Sequence, residues 1–322
     1  MAADAGTFFG WLRGHGATPR VLIAVAHPDD ETAGTGAVLA RLPDVRLVCA
    51  TDGAPFDRAL WGDPTPATRE DYAAMRRREL RCALAVARLG WDCVEQWDIP
   101  DQDASSDLAD LALRMRDALA ADIPEVVLAP AYEGGHPDHD AVSFAVHAAC
   151  ALMARDGDPY PAIVEFPLYH AEDDRVVAGT FASGNEGDAV TLTLSEREVA
   201  NKERMLACHA SQRDTLALFP RDAERFRLSP GHDFTRPPRP GKLNYELWGW
   251  MTGDEWCALA AAAMAELGLA SLDLPRDQGS VGAGSAKRHF LLSMARIYSP
   301  PPGFDDDGPE LRPAPPGGEA AA

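Results

Sequence analysis

The chain has 322 residues, 46% of them hydrophobic, and carries 50 acidic against 30 basic residues for a formal net charge of −20. That length holds one large domain or two small ones, and the apolar share is ordinary for a soluble globule with a sizeable core. The acidity argues against nucleic acid or an anionic membrane as the main partner, no apolar run is long enough to span a bilayer, and the first residues lack the basic start and apolar stretch of a secretory signal.

In chain order, residues 7–15 read as a short leading helix and 21–26 as a strand apolar on both faces, as central parallel strands are. A crossover helix over 31–42 ends at Pro43-Asp44, and a second strand over 45–50 is closed by the turn-prone Thr51-Asp52-Gly53-Ala54. Thr68 with Asp71 three residues on marks a helix start, and the helix runs until Gly90. A third strand follows at 93–97, then an amphipathic helix with Leu108, Leu111, Met115 and Leu119. The fourth strand is 125–129, with a helix over 141–153 and a fifth strand over 162–166. A later strand is expected at 191–194, with Ser195 and Glu198 capping the next helix. Residues 229–241 read as a Pro/Gly-rich loop, 258–269 as an alanine-rich helix, and 299–322 as a mobile tail. Strands alternating with helices of this length give an α/β fold with a mostly parallel sheet. One domain over 1–298 is expected, its core at about 20–215, with an irregular C-terminal extension.

The six cysteines, at 49, 82, 93, 150, 208 and 257, form no C-x-x-C pair. Cys49, Cys82 and Cys150 sit in apolar runs and read as small core residues, with no disulfide framework or zinc knuckle. A reducing, cytoplasmic setting is the expectation.

The chemistry concentrates in two clusters that follow buried strands. His27-Pro28-Asp29-Asp30-Glu31 follows the first strand, and His136-Pro137-Asp138-His139-Asp140 follows the fourth. Carboxyl ends of parallel strands share one edge, where ligands collect, so the clusters can converge across a hundred residues. His27 with Asp30, and His136 with His139, have the i, i+3 spacing that turns two side chains to one point. Two imidazoles and a carboxylate make a three-ligand metal site with room for water. Asp29 is then placed to take a proton from that water, and the remaining histidine to stabilise an oxyanion and protonate a leaving amine. Two histidines and a carboxylate also describe a non-haem iron oxygenase triad, but the antiparallel barrel expected of those enzymes is missing from the strand pattern.

Ala26-His27-Pro28-Asp29-Asp30-Glu31, paired with His136-Pro137-Asp138-His139, resembles the PIG-L/LmbE family of metal-dependent de-N-acetylases. Thr51-Asp52-Gly53, Arg76 with Glu79-Leu80, and the stretch from Lys202 to His209-Ala210-Ser211-Gln212 support the likeness, which spans roughly residues 20–215. The resemblance implies a Rossmann-like three-layer sandwich and a zinc enzyme, with other divalent ions such as Fe2+ as alternatives. The implied reaction removes an N-acetyl group from an N-acetylglucosamine-type sugar or conjugate. By motif position, His27, Asp30 and His139 would bind the metal, Asp29 would be the general base and His136 the acid. Asp138 would orient a catalytic imidazole, and Arg76 and Asp52 would contact substrate. The rival readings are hydrolysis of another acyl amide in secondary metabolism, or a non-catalytic metal- and sugar-binding protein. A homo-oligomer is left open.

One departure stands out. Some relatives carry a tyrosine two residues before the acid histidine, where this chain has Gly134-Gly135, and Tyr132 is off register. Oxyanion binding is therefore expected to rest on the ion and His136. His147 reads as a packed core residue. His170 is as readily a strand-end residue as a pocket one, and His209 is a motif member without a derivable role. Trp248 and Trp250 read as packing residues, with a sugar-stacking platform as the alternative.

Overall fold

A computed structural model describes residues 5–274, save 64, 65, 183 and 185. The expected tail at 299–322 and the end of the expected domain lie outside the described residues. Helix α1 (Ala5–Leu12) precedes strand β1 (Val21–Val25), helix α2 (Asp30–Leu39) and β2 (Val45–Pro55). Next come α3 (Arg69–Val86), β3 (Val94–Asp101), α4 (Leu108–Asp122), β4 (Val126–Pro130), α5 (Pro137–Asp156) and β5 (Ala162–Phe166). The remainder is β6 (Tyr169–Glu172), β7 (Arg175–Ala178), β8 (Val190–Thr193), α6 (Glu196–Cys208), α7 (Arg213–Leu216), β9 (Ala223–Leu228), α8 (Asn244–Leu247) and α9 (Gly253–Glu266).

The main sheet has the order β3-β2-β1-β4-β5-β9-β8. Its first five strands pair in parallel; β9 runs antiparallel to β5 and to β8. Alternate residues of β1 explain the layers. Val21, Ile23 and Val25 pack with the face that holds Phe8, Leu39, Leu80 and Met205, from α1, α2, α3 and α6. Leu22, Ala24 and Ala26 pack with Met115, Phe144 and Trp256, from α4, α5 and α9. The result is the expected mostly parallel α/β sandwich, every β1 side chain buried.

The chain builds β1, β2 and β3 outward in one direction, then returns to place β4 on the other side of β1. The reversal between β1 and β4 is a topological switch point, which leaves a crevice beyond the carboxyl ends of those two strands. Both histidine clusters begin there.

Several local readings differ from the structure. The expected turn at Thr51-Asp52-Gly53-Ala54 is a continuation of β2, whose pairing with β3 shifts register between Cys49 and Thr51 and again before Pro55. Turn-prone residues here bulge the strand instead of ending it. Helix α5 starts at Pro137, four residues before the expected 141, with His136 as its N-cap. Proline fits a first helical position, having no N–H to leave unpaired. Cys82 is not a core residue: it is exposed on α3 and disulfide-bonded to Cys208 at the end of α6, with 5.6 Å between their Cα atoms. The expectation of no disulfide framework is thus corrected to this one pair among the described residues. Among the described residues no helix is long and apolar enough to cross a membrane.

Candidate active site

The turn between β1 and α2 is held by its own carboxylate. Asp30 Oδ2 accepts from the backbone N–H groups of His27 at 2.8 Å and Ala26 at 3.2 Å, while Oδ1 lies 3.2 Å from His139 Nε2. His27 Nδ1 is 3.2 Å from the same His139 nitrogen and 3.5 Å from Asp30 Oδ2. The three side chains expected as ligands thus aim donor atoms at one point, all buried.

The spacing suits a small divalent ion. Zinc–nitrogen bonds of about 2.0–2.1 Å in a tetrahedral site put neighbouring donors roughly 3.4 Å apart, and the pairs here are separated by 3.2–3.5 Å. Among the described residues His139 Nδ1 has no hydrogen-bond partner. Burial disfavours a charged His27, yet Asp101, Asp138 and Asp30 outweigh it and hold the imidazole well above its ordinary pKa. Carboxylates that pull a proton onto a buried imidazole are the surroundings a dication would also neutralise.

Asp138 faces His27 and not the histidine expected as acid. Its Oδ2 is 3.2 Å from His27 Nε2 and 3.9 Å from His136 Nδ1. It also accepts from the backbone N–H of Gln102 and Ala104. His27 can therefore present Nδ1 inward while Nε2–H is held by a fixed carboxylate. His136 Nδ1 accepts the backbone N–H of Asp138 at 3.1 Å, which leaves the ring proton on Nε2. That nitrogen lies 3.5 Å from Asp101 Oδ1. Burial and the neighbouring His27 charge hold His136 well below its ordinary pKa, so it stays neutral and its Nε2–H points into the crevice.

Asp29 sits in the bend that precedes α2, with φ 155° and ψ −24°. Few L-residues adopt such a conformation, and holding one there costs on the order of 1–3 kcal/mol. Three contacts enforce it. Its N–H donates to Glu31 Oε2 at 3.0 Å, and Arg76 donates to Asp29 Oδ2 at 3.1 Å and to the Pro28 carbonyl at 2.9 Å. Burial lifts the Asp29 carboxyl to about 6, with Arg76 opposing the rise. His209 lies 3.4 Å from Glu31 Oε1, which places this motif member underneath the bend. Arg76 thus reaches the site, whereas Asp52 is paired with Arg69 at 2.6 Å and stands outside the pocket lining.

Asp101, at the end of β3, was not anticipated from the sequence, yet its Oδ1 lies 3.2 Å from His27 Nε2. The third strand was expected to stop at 97; traced to its true end it delivers an acid to the same carboxyl edge. These side chains floor a cavity of about 410 Å3. Its walls include Tyr169, whose ring centroid is 5.0 Å from that of His139, and Trp250, 5.0 Å from His136. Tyr132 turns away to donate to the Arg236 carbonyl. His147 is packed within α5, bonded to the Ser143 carbonyl and to Ser229.

Fold and crevice define an α/β protein with a candidate divalent-ion pocket at the switch point of its sheet. Residues 22–150 match the PIG-L family model, described as GlcNAc-PI de-N-acetylase. The "Probable N-acetyl-alpha-D-glucosaminyl L-malate deacetylase 2" of Bacillus anthracis is 31% identical over 156 residues, covering 47% of this chain and 67% of that protein. The chain belongs to the PIG-L family. Among solved structures, a deacetylase of teicoplanin biosynthesis aligns with a TM-score of 0.49 and 19% identity, over 66% of this chain and 99% of that one. A conserved protein of Thermus thermophilus, TT1542, aligns with a TM-score of 0.47 and 23% identity, over 66% and 95%.

Proposed function

We propose that the protein is a zinc-dependent hydrolase that removes the acetyl group from an N-acetylglucosamine-type sugar or conjugate. The observation that carries this reading is the convergence of His27, Asp30 and His139 with Asp29 and His136 at the floor of one pocket. Family membership and the activity named for the Bacillus anthracis relative support it.

In this reading His27 Nδ1, Asp30 and His139 Nε2 hold the ion. When bound, it would lower the pKa of a water and polarise the amide carbonyl. Asp29 takes the proton of the attacking water; Arg76 keeps its carboxylate aimed at the crevice. His136 Nε2–H donates to the carbonyl oxygen as negative charge develops there, and the proton taken up by Asp29, rather than the one proton of neutral His136, passes to the departing amine nitrogen. Asp138 fixes the ring of His27. Acetate and the free amino sugar leave.

The test pairs metal content with acetate release. His27→Ala and His139→Ala are expected to lose bound zinc and turnover together, and chelator should abolish acetate release from N-acetylated amino sugars until zinc is restored. Unchanged zinc in both variants and in Asp30→Ala would remove the ligand assignment. Release of longer acyl groups with no acetate would favour the rival amide substrates.

A further inference from the structure

The pocket is charged at its floor and apolar at its mouth. Of the lining residues described, Arg76 is the one arginine and there is no lysine; its Nη2 donates to Asp29 and to the Pro28 carbonyl. Three carboxylates, Asp29, Asp30 and Asp101, stand beside it. Above them rise Leu60, Tyr169, Phe219, Trp248 and Trp250. The rings form a ladder: Trp250 sits at 5.0 Å from His136, Trp248 at 4.7 Å from Trp250, and Tyr169 at 5.8 Å from Trp248.

The same character continues onto the surface. Eight large hydrophobic side chains are exposed among the described residues, and four of them belong to the segments that make the rim. Leu60 (41% exposed) and Trp248 (42%) line the pocket; Phe56 (72%) follows the lining residue Pro55; Leu218 (52%) lies between lining residues Leu216 and Phe219. Scattered exposed apolar residues are normal, but Leu60 and Trp248 are exposed on the lining of one cavity, where apolar surface marks a ligand contact. The cation beside Phe56, Arg69, is taken by Asp52, with its guanidinium 5.1 Å from the Phe56 ring centroid.

We propose that the outer half of this pocket is a binding subsite for a neutral, apolar group carried on the amino sugar, an aryl or alkyl aglycone stacked on Trp248 and Trp250. This rests on the deacetylase reading for the sugar but not for the subsite itself. A dicarboxylate aglycone such as the malyl group named for the Bacillus anthracis relative would instead meet Leu60, Tyr169, Phe219, Trp248 and Trp250, with no arginine or lysine besides Arg76 among the described lining residues to pair with it.

The experiment compares kcat/KM of the zinc-loaded protein for four acetylated sugars: phenyl and octyl N-acetylglucosaminide, N-acetylglucosaminyl malate, and free N-acetylglucosamine. The apolar glycosides are expected to lead the other two by about tenfold or more, the scale of discrimination an apolar contact supplies. Trp248→Ala should collapse the ratio of apolar to free sugar by about tenfold, and Trp248→Phe should restore most of it. The phenyl and octyl arms tell an aromatic from an aliphatic group. A malyl conjugate that equals or beats the apolar glycosides, or a ratio untouched in Trp248→Ala, overturns the subsite. If no sugar is turned over, the deacetylase reading fails alone. Titration calorimetry of the same glycosides against the wild type and Trp248→Ala then decides the subsite, which falls if the substitution leaves their affinity unchanged.

Discussion

Asp29 combines an unusual backbone conformation, burial and one guanidinium, and each has a consequence that can be measured. Asp29→Asn keeps the shape and removes the proton acceptor. Zinc content should stay at the wild-type level while kcat falls by about 10²–10⁴-fold, the usual contribution of a positioned base; a variant that loses its zinc would mean the carboxylate was needed as a ligand. Burial raises the Asp29 carboxyl to about 6 and Arg76 pulls it down. Removing that pull must raise the pKa, so the ionised base is populated only at higher pH. The acidic limb of the kcat profile should therefore move upward in pH in Arg76→Gln, and a downward or absent shift would show that Arg76 does not act through Asp29. The site was legible wherever a reactive residue followed an obvious strand, as His27 and His136 do. It was not legible for Asp101, because the mixed polar sequence of β3 hid its last residues. Trp248 and Trp250 read in the sequence as packing residues, with a stacking platform as the alternative; both line the pocket, a place that follows from tertiary packing because their segment stands outside the alternating pattern.

At the scale of elements, caps and parallel strands were the readable parts. Thr68 accepts from Asp71 N–H, and Ser195 with Glu198 closes a full capping box, as their spacing implies. The β6–β7 hairpin was missed for a physical reason. Its turn residues Asp173 and Asp174 both have positive φ, a two-residue loop that usually announces itself with glycine. Strand β9 was hidden too, because Ala223–Leu228 alternates arginine and glutamate with apolar residues. Its buried charges are instead matched pairwise, Glu224 with Lys202 and Arg227 with Glu165. The α3–α6 disulfide closes a separation of 126 residues and ties the helix bearing Arg76 to the one ending at His209. Cys82→Ser should lower stability by about 2–4 kcal/mol, read from chemical denaturation under non-reducing conditions. The same protein assayed with reductant should show no difference between wild type and variant.

Across the whole molecule, buried acids set how stability responds to pH. Glu133 is buried between β4 and α5; Oε1 accepts from Ala182 N–H at 2.7 Å, and Oε2 has no partner among the described residues. Burial raises its carboxyl to about 8. A folded-state pKa above the unfolded value favours the protonated form, so the fold is penalised progressively as pH climbs from the ordinary glutamate range toward 8. Glu133→Gln should gain stability over the wild type at pH 8–9 and none near pH 4, measured as urea midpoints. A constant difference across that range would place the cost elsewhere.

Gly134 and Gly135 show how tightly history is written into this crevice. A methyl group at 135 would meet the Tyr169 carbonyl at 1.8 Å, and one at 134 would meet Leu243 at 2.5 Å. The space a bulkier residue needs at either position is filled by two pieces of chain from far along the sequence. A side chain at 135 thus requires the backbone at Tyr169 to shift, whereas one at 134 requires Leu243 to repack and must also tolerate a φ of +72°.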